Sequence, residues 1–274
     1  MPGVIQCLKT RVKRTPWLKR VVLVSMRMLD ALSWKLRLDS LVRYAGFFRD
    51  WRRFRHAGGT AAVLDFYPCL FDNTASTRID SQYFHQAVWA FGLIRQSGAA
   101  QHVDIASEAS FVGVLTTITR VVFVDIRPLF LRIPNYLGVG ASATSLPFAA
   151  ASVPSLSCLH VIEHIGLDRY GDPIDPAGPE KACAEIVRVL AEGGNAFVSL
   201  PIGRPRVSFN AHRVFSATEV LALFTGLQLH RMALVDATGE FQPEALPHSV
   251  DIRDSAGGLD YGLGLFWFTK PAKQ

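Results

Sequence analysis

In one short run, Ser157-Cys158-Leu159-His160-Val161-Ile162-Glu163-His164, the chain carries two imidazoles and a carboxylate. Imidazoles change charge near neutral pH, so the run suits proton transfer. Its letters also fit H-x-x-E-H, where two histidines one helical turn apart hold zinc. That chemistry needs both histidines on one helix face. Here residues 156–159 read as strand, Gly166 falls just after, and no distant third ligand is evident, so no metal is assigned. Elsewhere Asp104 and Asp125 each lie at the end of a short apolar run, and Asp172, His212, Arg169, Tyr170, Asn210 and Arg213 complete a polar set.

The elements that must position these residues follow from periodicity. Residues 102–105, 120–125, 135–140, 156–161 and 196–200 read as five short strands, the first two with an acid, Asp104 or Asp125, at or next to the end. Residues 81–95, 111–118 and 179–190 read as helices, the first with Tyr83, Phe84, Ala87, Val88, Phe91 and Leu93 inward. Gly193-Gly194 is expected to end the third helix, since glycine accepts the left-handed conformation beyond the last turn. Residues 227–235 and 261–269 alternate as an antiparallel pair finishing the sheet. Strand, loop, helix and strand with a terminal acid, repeated, is the order of a nucleoside-binding α/β sheet.

The order Val103-Asp104-Ile105, Val124-Asp125, Ser142-Ala143-Thr144-x-Leu146-Pro147-Phe148, Leu159-His160-Val161-Ile162-Glu163-His164 and Val189-Leu190-x-x-Gly193-Gly194 resembles the class I S-adenosylmethionine-dependent methyltransferases. More narrowly, residues 158–173 and 209–215 look like the family catalogued as domain of unknown function 268. The resemblance implies a Rossmann-like class I methyltransferase sheet with helices on both faces, its core at about residues 100–270, and S-adenosylmethionine as cofactor. It implies that Asp125 binds the ribose hydroxyls, that Ile126 packs on adenine, and that Ser142, Ala143 and Thr144 meet the adenine edge. Asp104 would orient the loop under the methionine part of the cofactor, with His160 beside that part. The loop departs from the family pattern. It reads Ala106-Ser107-Glu108-Ala109-Ser110, with Ala106 where glycine is expected, Glu108 where a bound carboxylate often lies, and Ser142 in place of an acid.

Methyl transfer asks for in-line positioning and, with a hydroxyl acceptor, removal of one proton. His164, His212 and Asp172 are the candidate bases; each could equally fix a loop by hydrogen bonding. Arg169, Tyr170, Asn210 and Arg213 would give the acceptor a mixed-charge lining suited to a sugar or phosphorylated sugar. The expected activity is O-methylation of a polar acceptor such as a cell-surface glycan or its precursor. A degenerate fold kept as an interaction module and an RNA methyltransferase are the alternatives.

Of the 274 residues, 49% are hydrophobic and 19% charged, which excludes a disordered chain. Cys7, Cys69, Cys158 and Cys183 show no C-x-x-C pattern, which points to reduced thiols and a cytoplasmic protein. Charge is uneven. Residues 1–56 hold 14 of the 29 Lys and Arg with three acids, a net +11, while residues 57–274 carry −5. The division expected is therefore a basic amphipathic helical extension, 1–56, joined to a Rossmann-like domain, 57–274. Residues 16–36 and the run 47–55 put Arg and Lys among Trp and Phe. Three readings of residues 9–55 stay open: a helical cap, a contact with the anionic inner face of a membrane, and a nucleic-acid grip. The acidic balance of the second domain and the lack of an Asn-Pro-Pro-Tyr type motif count against nucleic acid. No segment is long and apolar enough to span a bilayer, and oligomeric state is not legible.

Overall fold

The computed structural model describes residues 38–247 and 260–272, together with Ser25. Residues 16–36, read as a basic amphipathic helix, lie outside the described residues apart from Ser25. The chain divides into two compact units after Arg78. The boundary expected from the charge run, 56/57, coincides instead with the end of helix α1 (Leu38–His56). In the first unit Phe47 and Trp51 of α1 set their rings edge-on to Phe66, 5.1 and 5.2 Å between centroids, and Trp51 Nε1 donates to Ala61 O. Its Arg49, Arg52, Arg53 and Arg55 stay exposed. Among the described residues no helix is long and apolar enough to cross a membrane.

The second unit is built on one sheet. Helix α2 (Ser81–Ser97) starts on Asp80, whose carboxylate accepts from Gln82 and Tyr83 N–H, and stops at Gly98 in the left-handed conformation. Strand β1 (Gln101–Ile105), helix α3 (Ala109–Leu115), β2 (Arg120–Asp125), β3 (Tyr136–Gly140), β4 (Val153–Leu159), helix α4 (Gly178–Val189) and β5 (Leu190–Ile202) follow. A short hairpin, β6 (Arg206–Ser208) and β7 (His212–Val214), precedes helix α5 (Ala217–Leu223), β8 (Gln228–Val235), β9 (Phe241–Gln242) and β10 (Gly262–Thr269). The strand order is β3-β2-β1-β4-β5-β10-β8-β9. Strands β1 to β5 pair in parallel, and β10 lies antiparallel between β5 and β8. The order reverses between β1 and β4, where such sheets open a crevice beyond their carboxyl ends.

Period-2 alternation sends the two faces of each strand into different cores. Val103, Ile105, Leu156, Cys158, Val198 and Leu200 pack with Ile186 and Val189 of α4 and Val220 of α5. Phe123, Leu159, Phe197 and Leu265 pack with Trp89, Leu93 and Ile94 of α2 and Phe111 and Leu115 of α3. Each such side chain contributes about 1.5–3 kcal/mol on burial. Helices on both faces of a mostly parallel sheet are the architecture expected from the sequence.

Three details differ from expectation. Helix α2 buries Gln86, Trp89, Ala90, Leu93 and Ile94, while Phe84 and Val88 are exposed. The true stripe contains a polar residue, because Gln86 Oε1 accepts from the buried Ser199 hydroxyl, and apolar counting passed over it. Helix α4 ends at Val189, and Leu190 is already extended, so Gly193-Gly194 do not cap it. Gly193, at φ 71°, lies inside β5 and gives its N–H to Lys270 O. The β6–β7 hairpin, three residues a side, has no counterpart among the elements expected from the sequence.

Candidate functional site

The carboxyl ends of β1, β2, β3 and β4 surround a cleft of about 220 Å³. After β1 its wall is Ala106, Ser107 and Glu108; after β2, Asp125, Ile126 and Arg127; after β3, Ala141, Ser142 and Ala143. His160, His164, Tyr170 and Asp172 close the β4 side, and Tyr83 reaches in from α2. Sequence reasoning named most of these; it missed Tyr83, Ser107, Arg127 and Ala141.

The loop after β1 is held from beneath by a buried polar chain. His102, Asp104, Ser155 and Ser157 share the sheet face under α2 and are wholly buried. Ser157 Oγ donates to Asp104 Oδ2 and lies 2.8 Å from His102 Nε2, and His102 Nδ1 lies 2.7 Å from Ser155 Oγ. Since the Ser157 proton goes to the carboxylate, His102 must donate from Nε2 and accept from Ser155 at Nδ1. Asp104 Oδ1 accepts from Ser107 N–H at 3.0 Å, and Ser107 Oγ accepts from Leu159 N–H at 3.2 Å. Burial pushes Asp104 up to about 6, against the hydrogen bonds from Ser157 and Ser107, and pushes His102 down to about 3. Asp104 therefore braces the loop to β4 and does not itself line the cleft.

Ala106 takes the left-handed conformation, φ 52°, that a glycine would adopt without strain. Glu108 caps α3, accepting from Ser110 and Phe111 N–H. Although burial opposes it, those bonds keep the Glu108 carboxyl below its usual range. Asp125 Oδ1 accepts from Arg127 N–H at 2.7 Å, and Ile126 beside it is 41% exposed, an apolar surface facing the cleft. Ser142 Oγ and Thr144 Oγ1 bond to each other at 2.8 Å, so Thr144 shapes the turn and stands off the wall. That turn is anchored by α4: Glu185 accepts from Leu146 N–H, and Arg188 donates to Leu146 O and Phe148 O.

His160 follows β4 directly with φ 56°, its N–H shared between Ser199 O and Ser199 Oγ. Its ring stacks on Tyr83 at 4.9 Å, and its Nδ1 lies 2.8 Å from Glu163 Oε1. The segment Ile162–His164 is one 3-10 turn, not an α-helix, so the helix face that H-x-x-E-H zinc binding requires does not form. Among the described residues no group of three or more His, Cys, Asp or Glu side chains could hold a metal ion.

His164 Nδ1 lies 2.7 Å from Ala211 O, which fixes the proton on Nδ1. Arg169 Nη1, 3.2 Å from the same nitrogen, cannot donate to it and donates instead to Ala211 O at 2.8 Å. Nε2 of the neutral ring therefore carries a lone pair. Burial lowers the pKa of His164, outweighing the nearby Glu163 carboxylate.

The other expected residues are placed differently. Asp172 lines the cleft, but its carboxylate accepts from Gly166 and Tyr170 N–H and ties the loop. Gly166, at φ 78°, has no room for a side chain, since a Cβ would meet Asp175 O. Arg213 is buried and donates to Ile165 O at 2.6 Å, so it braces the loop rather than facing a ligand. Asn210 is exposed and His212 half-buried, neither on the cleft wall. His212 packs edge-on to Tyr261 at 5.7 Å, and burial lowers its pKa. Tyr170, by contrast, sits between two guanidiniums, Arg127 at 4.3 Å and Arg169 at 5.1 Å, a contact that joins the β2 and β4 sides of the cleft.

The profile of the family described as "Caenorhabditis protein of unknown function, DUF268" matches residues 145–239, which include the His160–His164 segment. Among solved structures, the N-methyltransferase NodS from Bradyrhizobium japonicum WM9 is 15% identical, covers 74% of this chain and 100% of its own, and gives a TM-score of 0.50. NodS in complex with S-adenosyl-L-homocysteine is 14% identical over 75% of this chain and 92% of its own, TM-score 0.48. A sarcosine dimethylglycine methyltransferase, so assigned, from Galdieria sulphuraria is 12% identical over 70% and 86%, TM-score 0.48. No curated protein matches the chain. The NodS structure with a TM-score of 0.50 establishes the fold, a Rossmann-like α/β sheet; at 15% identity it establishes nothing finer.

Proposed function

We propose that this protein transfers a methyl group from S-adenosylmethionine to an oxygen of a polar acceptor, a cell-surface glycan or its lipid- or nucleotide-linked precursor being the first candidate. The observation that carries the reading is Asp125. Its carboxylate stands at the carboxyl end of β2, beside the strand-order reversal, with Ile126 next to it and the Ala141–Ala143 edge in the same cleft. A carboxylate accepts from both hydroxyls of a vicinal diol, Ile126 offers a flat apolar surface to a base, and Ser142 offers a hydroxyl to its edge. Ala106 already holds the backbone conformation of the glycine expected there, so the glycine-free loop keeps its path.

When bound, S-adenosylmethionine supplies an electrophilic methyl on a sulfonium. The chain's residues must then hold the acceptor and take its proton. Of the three candidate bases, His164 fits: neutral, protonated on Nδ1 against Ala211 O, and on the cleft wall with Nε2 unprotonated. Asp172 is committed to backbone N–H groups, and His212 stands off the wall. On the acceptor side Tyr83, Tyr170 and Arg127 line the cleft, with the Arg169 guanidinium stacked on Tyr170, a polar and cationic setting that suits a phosphorylated sugar. Cytoplasmic placement, with Arg49, Arg52, Arg53 and Arg55 of the basic arm against an anionic membrane, belongs to the same proposal.

The test is transfer of label from methyl-tritiated S-adenosylmethionine to a panel of lipid- and nucleotide-linked glycan precursors. We expect an O-methylated sugar, lost in His164→Ala and kept in His212→Ala. Transfer to nitrogen, or full activity in His164→Ala, would overturn the assignment.

A further inference from the structure

Glu163 is used by nothing described so far. It is wholly buried in the turn after β4 and does not line the cleft, although the histidines on both sides of it do. Its Oε1 lies 2.8 Å from His160 Nδ1 and 3.7 Å from His164 Nε2. Among the described residues its Oε2 has no hydrogen-bond partner, and neither has Nε2 of His160. Withdrawing a carboxylate from water is costly unless it is paired and fully hydrogen-bonded. A residue that only filled this space would do better as an apolar side chain.

We propose that Glu163 is the positioning residue of this site: through Oε1 it orients the His160 ring, and it holds the counter-charge for the imidazolium formed when His164 Nε2 takes a proton. The purpose of that proton uptake rests on the methyl-transfer reading; the arrangement itself does not. With the proton of His164 fixed on Nδ1, Nε2 is unprotonated and lies 3.7 Å from Oε1, a separation too long for a hydrogen bond. A proton arriving at Nε2 turns that contact into an ion pair inside a low-dielectric pocket, where its field is little screened.

Besides His160 and His164 of its own segment, the titratable groups close enough to feel the Glu163 charge are Cys158 of β4, Tyr83 of α2, His212 of β7 and Tyr261 just before β10. Arg169 and Tyr170 complete the surroundings of His164. Arg169 and burial both disfavour a charged His164, and Glu163 opposes them. The same contacts explain why His160 is held at φ 56°: a strained backbone is retained where surrounding contacts over-determine it.

The test is an imidazole nitrogen NMR titration of the full chain without cofactor or acceptor. We expect Glu163→Gln to lower the His164 midpoint by about one pH unit or more, a tenfold loss of proton affinity. Glu163→Asp, which keeps the charge, should restore part of it. An unmoved His164 midpoint in folded Glu163→Gln overturns the proposal. Should that variant not fold, the wild type still decides. A downfield, slowly exchanging proton on His160 Nδ1 supports the bond to Oε1, and its absence overturns it. S-adenosylhomocysteine binding is read alongside. Binding kept with an unmoved midpoint removes the role of Glu163 alone; a moved midpoint in a wild type that does not bind keeps it and removes methyl transfer.

Discussion

Replacing Asp104 by Asn should change how stability depends on pH, by an amount that follows from burial. The carboxyl ionises at 3.8 ordinarily and at about 6 in the fold. Between those values the folded state binds more protons than the unfolded one. The stabilisation is thus fully present below pH 3.8 and is lost as pH rises through 6. His102 works in the opposite sense: its pKa falls from 6.5 to about 3, so its contribution is present above 6.5 and lost as pH falls toward 3. In the wild type the two slopes offset each other between pH 4 and 6. Asparagine removes one of them. It keeps an acceptor for Ser107 N–H, and the Ser157–His102–Ser155 chain can reverse its direction of donation. Relative to wild type, Asp104→Asn should therefore gain about 2–3 kcal/mol on going from pH 4 to pH 7. Urea unfolding of both proteins at the two pH values, followed by circular dichroism, gives the double difference. A value within about 0.5 kcal/mol of zero would show that Asp104 titrates as it does in the unfolded chain, and would refute the buried proton chain.

Two shorter predictions concern the loop and the arm. Ala106→Gly should raise stability by about 0.5–1 kcal/mol, because relief of the left-handed strain exceeds the added freedom of the unfolded chain; a lower urea midpoint would contradict the conformation found there. Changing Arg52, Arg53 and Arg55 to Gln in the full chain should weaken binding to phosphatidylserine vesicles by about 3 kcal/mol, roughly 100-fold. Equal sedimentation with the vesicles would remove the membrane contact.

The parallel sheet was legible because β1, β2, β4 and β5 carry short buried apolar runs, and because Asp125 and Gly140 mark the ends of β2 and β3. The face of α2 was not, since Gln86 belongs to the buried stripe by virtue of Ser199, far away in the chain. The cleft wall at Asp125, Ile126, Ser142, Ala143 and His160 lies where the strand ends put it. Arg213 was read as lining the acceptor and Asp172 as a candidate base, because charge in a loop suggests recognition or chemistry. Here the Gly166 N–H and the Ile165 carbonyl are satisfied by those side chains. Tyr83 was hidden for the reverse reason: an aromatic on a helix reads as core until its neighbour, His160, is known. Glu163 drew notice only as part of a zinc-like pattern, and what it touches depends on a turn too short to read from periodicity.

The most direct measurement is isothermal titration of the wild type and Asp125→Ala with S-adenosylhomocysteine. The account predicts micromolar binding by the wild type. The variant should lose about 2–4 kcal/mol, roughly 30- to 1,000-fold, as two hydrogen bonds to a charged acceptor disappear. No binding by a folded wild type, or equal binding by the variant, would contradict the claim that this cleft is a working cofactor site.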